Sequence, residues 1–276
     1  MDLPATRIMS TLEWDDLVVD KQTMQQLDDI KIWLEHRGTR MNERGTKKQL
    51  NPGYRTLFHG PPGTGKTLSA SLLGKLSGLD VYRVDLSSVV SKYIGETEKN
   101  LEKVFAQAED KNWILFFDEA DALFGKRTSI SDSHDKYANQ EIAYLLQRLE
   151  DYNGLVILST TMRSNLDETF SRRLNSVIHF PVPKSPERLT LWKKAFSDQR
   201  HLAEDLDLAA IAEDYELAGG SIINAAQYAS RMALSRKESV IHQSDILSGI
   251  RKESRKKEKQ VDPYKVPDPP KTDLEP

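Results

Sequence analysis

Up to about Pro183 the chain alternates short apolar runs with helical periods. Residues 54–58 (YRTLF), 81–85 (VYRVD), 113–117 (WILFF), 155–160 (LVILST) and 176–180 (SVIHF) are short, apolar or rich in β-branched residues, and read as strands. Between them, Leu101, Val104, Phe105 and Ala108 fall at i, i+3, i+4 and i+7, as do Ile142, Leu145, Leu146 and Leu149. Apolar strands separated by amphipathic helices imply a parallel sheet covered on both faces, here of five strands, in an α/β fold.

The pattern changes after Pro181, Pro183 and Pro186. Segments near 187–197, 205–214, 220–236 and 244–254 read as helices, with Val240–His242 as a minor strand at most. The expected division is a large α/β domain over 1–185, opened by an N-terminal segment 1–19, and a small all-helical domain over 186–254. The remainder, 255–276, is basic and then proline-rich, and is expected to be a disordered tail.

Charge and composition narrow the classes. With 39 Lys and Arg against 42 Asp and Glu, the net charge of −3 argues against a protein built to coat nucleic acid. The 276 residues include no cysteine, which removes disulfides, thiolate metal sites and a cysteine nucleophile. No run approaches the 18 apolar residues of a membrane span, and no secretion signal opens the sequence, so a cytoplasmic protein is the expectation.

The sharpest chemical signal is Gly60-Pro61-Pro62-Gly63-Thr64-Gly65-Lys66-Thr67, followed by Leu68. It matches G-x-x-x-x-G-K-[ST] between a strand and a helix, where glycines let successive backbone N–H groups face phosphates. Lys66 is expected to reach the β- and γ-phosphates and Thr67 to hold Mg²⁺. A second signal is Ile114-Leu115-Phe116-Phe117-Asp118-Glu119, an apolar strand ending in two carboxylates. Asp118 is expected to fix Mg²⁺ through water and Glu119 to orient the attacking water. The alternative is that Asp118, Glu119 and Asp121 merely cap the next helix. The histidines show no metal-binding spacing, so no metal beyond Mg²⁺ is expected.

On GPPGTGKT and ILFFDEAD the chain resembles the AAA+ ATPases, in the branch that includes katanin, spastin and other protein-remodelling motors. The resemblance covers roughly residues 12–253. It implies a P-loop nucleotide-binding sheet followed by a helical lid, with ATP and Mg²⁺ as cofactors. It implies that Tyr93, Ile94 and Gly95, within Ser91–Glu96, form a pore loop that grips polypeptide; a strand-end tyrosine in the core is the alternative. It implies that Asp16, Leu17 and Val18 flank the adenine and that Gly220 and Ser221 lie near the ribose or adenine. The polar stretch Gly125–Asn139 resembles a second pore loop. The adjacent Arg172 and Arg173 match arginine fingers that reach a neighbour's nucleotide; a surface ion pair with Asp167 or Glu168 is the alternative. The chain departs from the family at Thr161, where an asparagine normally helps hold the attacking water.

The expected function is therefore an ATP-hydrolysing module that assembles as a homo-oligomer, a ring of six, and remodels or translocates polypeptide. A slow, ATP-dependent assembly switch is the second reading, supported by Thr161. A nucleic-acid motor or loader is the third, and no zinc-finger spacing or added helix-turn-helix supports it.

Overall fold

The computed structural model describes residues 3–36, 53–86, 96–121, 143–161, 171–196, 201–204 and 206–260. The chain divides into two compact units, Met1–Pro183 and Lys184–Pro276.

The first unit is built on a six-stranded sheet: β1 (Thr6–Ile8), β2 (Tyr54–His59), β3 (Val81–Asp85), β4 (Ile114–Asp118), β5 (Leu155–Thr160) and β6 (Ser176–His179), in the order β1-β3-β4-β5-β2-β6. The five strands expected from the apolar runs are all present and parallel. The sixth, β1, is an addition at the edge, antiparallel to β3. It is three residues long, Thr-Arg-Ile, and too short to show alternation in the sequence.

The helices are α1 (Lys21–His36), α2 (Lys66–Ser77), α3 (Glu96–Lys111) and α4, which is described over 143–151. Alternate strand residues point to opposite faces. Leu57, Leu115, Phe117, Val156 and Leu158 pack with Leu101, Phe105 and Ala108 of α3 and Leu145 and Leu149 of α4. Phe58, Ile114, Phe116, Leu155 and Ile157 pack with Leu27 and Ile30 of α1 and Ala70, Leu72 and Leu73 of α2. Covering both faces is why these strands read as continuous apolar runs.

The second unit holds α5 (Ser185–Ala195), α6 (Leu208–Asp214), α7 (Gly219–Ser235) and α8 (Gln243–Gln260). Two short strands, β7 (His201–Leu202) and β8 (Val240–Ile241), pair in parallel, so the lid is not wholly helical. Asp207 caps α6, its carboxylate accepting from the N–H groups of Ala209 and Ala210. The core gathers Trp192, Ile211, Ile222, Ala225, Ala229, Ile246 and Ile250. Small residues bring α7 and α8 close: a Cβ on Gly249 would lie 2.6 Å from the carbonyl oxygen of Ala225.

One expected boundary is corrected. Residues 255–260, assigned to a disordered tail, continue α8 to Gln260. The physical reason is charge spacing. Glu253 and Lys256 form an i,i+3 ion pair, and the mixed basic and acidic run sustains helix without apolar periodicity. Residues 261–276 lie outside the described residues.

Candidate active site

Three strand ends at the carboxyl edge of the sheet build the site. The strand β2 runs into the glycine-rich loop, which enters α2 at Lys66. The loop's mouth is tied to both neighbours of β2. The Gly60 N–H donates to the Thr160 carbonyl at 3.2 Å, and the Phe180 N–H donates to the His59 carbonyl at 2.8 Å. Gly60, Gly63 and Gly65 adopt φ of 148°, 75° and 107°, values that side chains disfavour. At Gly60 the need is also steric, since a Cβ would meet the Phe180 carbonyl oxygen at 2.1 Å.

Lys66 is buried inside this loop. Its ammonium donates to the carbonyls of Gly60 at 2.6 Å and Pro61 at 2.9 Å. Burial pushes its pKa down, while the charges of Asp118 and Asp121 push the other way. The Thr64 hydroxyl donates to the Pro61 carbonyl at 2.8 Å, firming the turn. Thr67 is exposed on the first turn of α2, and Leu68 follows half-buried. The loop and the N-terminus of α2 together form a cradle suited to phosphate, because the first helical N–H groups and the helix dipole both favour an anion.

Asp118 is the last residue of β4. Its Oδ1 accepts from the Glu119 N–H at 3.1 Å, and its Oδ2 pairs with Nη2 of Arg83 on β3 at 2.8 Å. Glu119 is exposed with φ of 54°. That left-handed conformation in a non-glycine residue is held between two anchors: Asp118 in the ladder and Ala120, whose N–H donates to the Ser159 carbonyl at 2.8 Å. Such backbone concentrates at functional sites. Asp121 accepts from the Thr160 hydroxyl, joining the ends of β4 and β5. Thr161 is exposed one residue beyond Thr160, whose carbonyl receives the Gly60 N–H. The fold thus brings Lys66, Asp118, Glu119 and Thr161 to one edge.

The N-terminal residues meet the same loop. Asp16 closes a turn of 3₁₀ helix, its carboxylate accepting from the Glu13 N–H at 2.9 Å. Leu17 is buried, and its Cδ1 lies 3.6 Å from where a Cβ on Gly65 would stand. Val18 is half-buried, and Val19 also borders Gly65.

Arg172 and Arg173 are exposed just before β6. Arg173 pairs with Glu150 at the end of α4, Nη1 to Oε1 at 2.5 Å. A surface ion pair therefore exists, with Glu150 as the partner. Asp167 and Glu168 lie outside the described residues, as do Tyr93, Ile94, Gly95 and Gly125–Asn139. Gly220 and Ser221 lie in the first turn of α7 in the second unit, where Ser221 hydrogen-bonds Glu253 of α8.

Sequence reasoning missed Arg83 and the role of His59. Arg83 is one basic residue inside an apolar run, and nothing local ties it to Asp118. His59 is buried at the end of β2 and stacks on His179, ring centroids 4.7 Å apart. Its position immediately before Gly60 was the available signal.

The sequence is similar to those of known proteins. Residues 56–182 match the family described as ATPase family associated with various cellular activities (AAA). The chain carries an AAA ATPase domain. It is 30% identical over 210 residues to 26S proteasome subunit RPT4 of Saccharomyces cerevisiae, covering 74% of this chain and 48% of the relative. It is 30% identical over 227 residues to the proteasome-activating nucleotidase of Methanopyrus kandleri, covering 79% and 52%. It is 32% identical over 212 residues to peroxisomal ATPase PEX6 of Komagataella pastoris, covering 73% and 18%. The chain therefore spans about half the length of the first two relatives, and less of the third.

Proposed function

We propose that the chain binds ATP with Mg²⁺ at the loop of residues 60–67, hydrolyses it, and uses the cycle to remodel or translocate polypeptide as a ring of identical subunits. One juxtaposition carries this reading: the Lys66 ammonium held inside the loop, 2.6 Å from the Gly60 carbonyl, feels the charge of Asp118 at the end of β4, which Glu119 follows. Gly60 to Leu68 cradle the phosphates, with Lys66 exchanging its carbonyl partners for phosphate oxygens. Asp16, Leu17 and Val18 border the base, and Gly220 and Ser221 are assigned to nucleotide binding as well.

The residues fit magnesium. Mg²⁺ beside a nucleotide takes one or two side chains, with phosphates and water completing its octahedron. Thr67 would supply one such oxygen, and Asp118 would hold the ion through water. Among the described residues no cluster of three or more metal-ligating side chains occurs, so a cage independent of nucleotide is not offered. When bound, the ion neutralises developing phosphate charge. Glu119, exposed and just past the end of β4, orients the attacking water, and Thr161, one residue past the end of the neighbouring strand β5, shares that task.

Arg172 and Arg173 act on the nucleotide of a neighbouring subunit, and Arg173 leaves Glu150 to do so. Tyr93, Ile94 and Gly95 grip the polypeptide. Within the AAA proteins we read the module as one of the remodelling branch with katanin and spastin, on the Ser91–Glu96 segment and the lack of arginine at the start of α7. The names of the relatives, two of them proteasomal and one peroxisomal, accord with work on proteins.

The test is ATP turnover per subunit against protein concentration, with Glu119→Gln as the blank. Turnover that rises steeply and then levels off is expected, because the site is completed between subunits. Turnover at the blank level while ATP still binds overturns the motor and leaves the assembly switch. The exposed single hydroxyl of Thr161, in place of an amide, is what favours that second reading.

A further inference from the structure

A basic groove runs along the second unit between α7 and α8. It encloses about 570 Å³ and is lined by Tyr228, Ser248, Arg251, Lys252, Arg255 and Lys256. The four cations occupy two successive turns of one face of α8, and all four are exposed. Lys256 is engaged by Glu253, which also accepts from the Asn224 amide. Among the described residues no carboxylate pairs with Arg251, Lys252 or Arg255. Three charges therefore converge on one concavity with no carboxylate partner among the described residues, although like charges at i,i+4 weaken a helix. A solvated helix face would instead intersperse its acids with its bases.

We infer that this groove docks an acidic peptide segment of a partner protein. Charge complementarity is the first argument. Residues 251–260 hold six basic and two acidic residues in a chain whose net charge is −3, so positive charge is concentrated on this segment. Spacing is the second. Arg251 and Arg255 are about 6 Å apart along the helix axis. Alternate residues of an extended peptide repeat at about 6.6 Å, so carboxylates two positions apart reach both guanidinium groups.

The third argument separates a peptide from single-stranded nucleic acid. Nucleic acid of that kind is held by bases stacking on open aromatic faces. Among the described residues Tyr228 is the groove's one aromatic ring, and the Lys252 ammonium lies over it, 4.8 Å from its centroid. The ring is already used by a cation. The Ser248 hydroxyl donates to the Ser244 carbonyl at 2.7 Å, leaving its oxygen as an acceptor toward the groove and available to a peptide N–H.

The experiment uses the full chain and a fluorescein-labelled ten-residue peptide alternating Glu and Gly. Anisotropy gives its affinity, against the Gln version of the peptide and a ten-nucleotide oligothymidylate. The Glu peptide is expected to bind, to weaken with added salt, and to exceed the Gln peptide by at least about tenfold. The double variant Arg251→Glu, Arg255→Glu is expected to lose at least about tenfold, with ATP binding unchanged, while Lys111→Glu, Lys193→Glu retains affinity. Should the reversal variant unfold, Arg251→Gln, Arg255→Gln decides, with several-fold loss expected. Equal binding of the two peptides, no loss in either groove variant, or an oligonucleotide that binds tenfold tighter than the Glu peptide overturns the proposal. ATP turnover enters none of these readings, so its failure would be a separate result.

Discussion

Arg83 on β3 holds Asp118 on β4, Nη2 to Oδ2 at 2.8 Å, and the Glu119 N–H takes the other carboxylate oxygen at 3.1 Å. The two bonds fix the carboxylate plane at the strand end while leaving each oxygen a further lone pair. Arg83 is thus a positioning residue for Asp118. Loss of such an outer partner typically costs 10–100-fold in metal affinity or activity. Arg83→Met is expected to raise the Mg²⁺ concentration for half-maximal turnover by about tenfold, with ATP affinity in the absence of Mg²⁺ unchanged. An unaltered Mg²⁺ profile would remove the role.

Lys66 is buried against two carbonyls, and its pKa is lowered chiefly by that burial. Holding a buried ammonium has a cost to the protein, which the proposed phosphate contact would offset. Lys66→Met keeps the stem and deletes the charge. Fluorescent-nucleotide titration is expected to show ATP affinity reduced roughly a hundredfold, while thermal unfolding of the ligand-free protein is unchanged or higher. Retained ATP affinity would contradict the phosphate role.

Gly60→Ala tests the loop mouth. A methyl there meets the Phe180 carbonyl oxygen at 2.1 Å at a φ of 148°, and backbone cannot yield as a flexible side chain does. Destabilisation of roughly 2 kcal/mol or more is expected, read by denaturant midpoint, together with loss of nucleotide binding. Wild-type stability would mean that β6 can move away from the loop.

The Arg173–Glu150 pair is solvent-exposed, and such pairs contribute about 0–1 kcal/mol. Glu150→Gln should therefore leave the unfolding midpoint nearly unchanged. Arg173→Ala is expected to keep ATP binding and to lower turnover of the assembled protein by roughly 10³-fold. Normal turnover in that variant would assign Arg173 to the ion pair alone.

In the second unit Arg236 grips both oxygens of Asp245 and holds the carboxyl below its ordinary range; the His242 N–H assists. A carboxylate whose folded pKa is depressed stabilises the fold above the unfolded value, near 3.8. That contribution is lost as pH falls through the lower folded value. Thermal unfolding from pH 7 to pH 3 should decline most below about pH 4, and Asp245→Asn should flatten that part of the curve. An identical profile in the variant would exclude the pair as the cause.

Much of this protein was legible along the chain. The phosphate loop is contiguous, so residues 60–68 could be read in order, and five strands announced themselves because both faces of the sheet are covered. The helix α1 was not anticipated: Leu27 and Ile30 are buried, but most residues around them in KQTMQQLDDIKIWLEH are polar, and the stripe is narrow. The strand β1 was missed for its length. The α8 extension was missed because it rests on charges, where apolar periodicity is silent.

What the sequence determined by itself were features whose partners lie within a few residues: the glycine-rich turn, the strand ending in two carboxylates, and the alternating apolar pattern. What only the tertiary structure decided were the pairings between separate elements. Arg83 with Asp118, Thr160 with Asp121, Arg173 with Glu150 and His59 with His179 join residues 23 to 120 positions apart. Parallel strands are joined through crossovers, so which residue faces which depends on strand order and register, and those are set by packing both faces of the sheet at once.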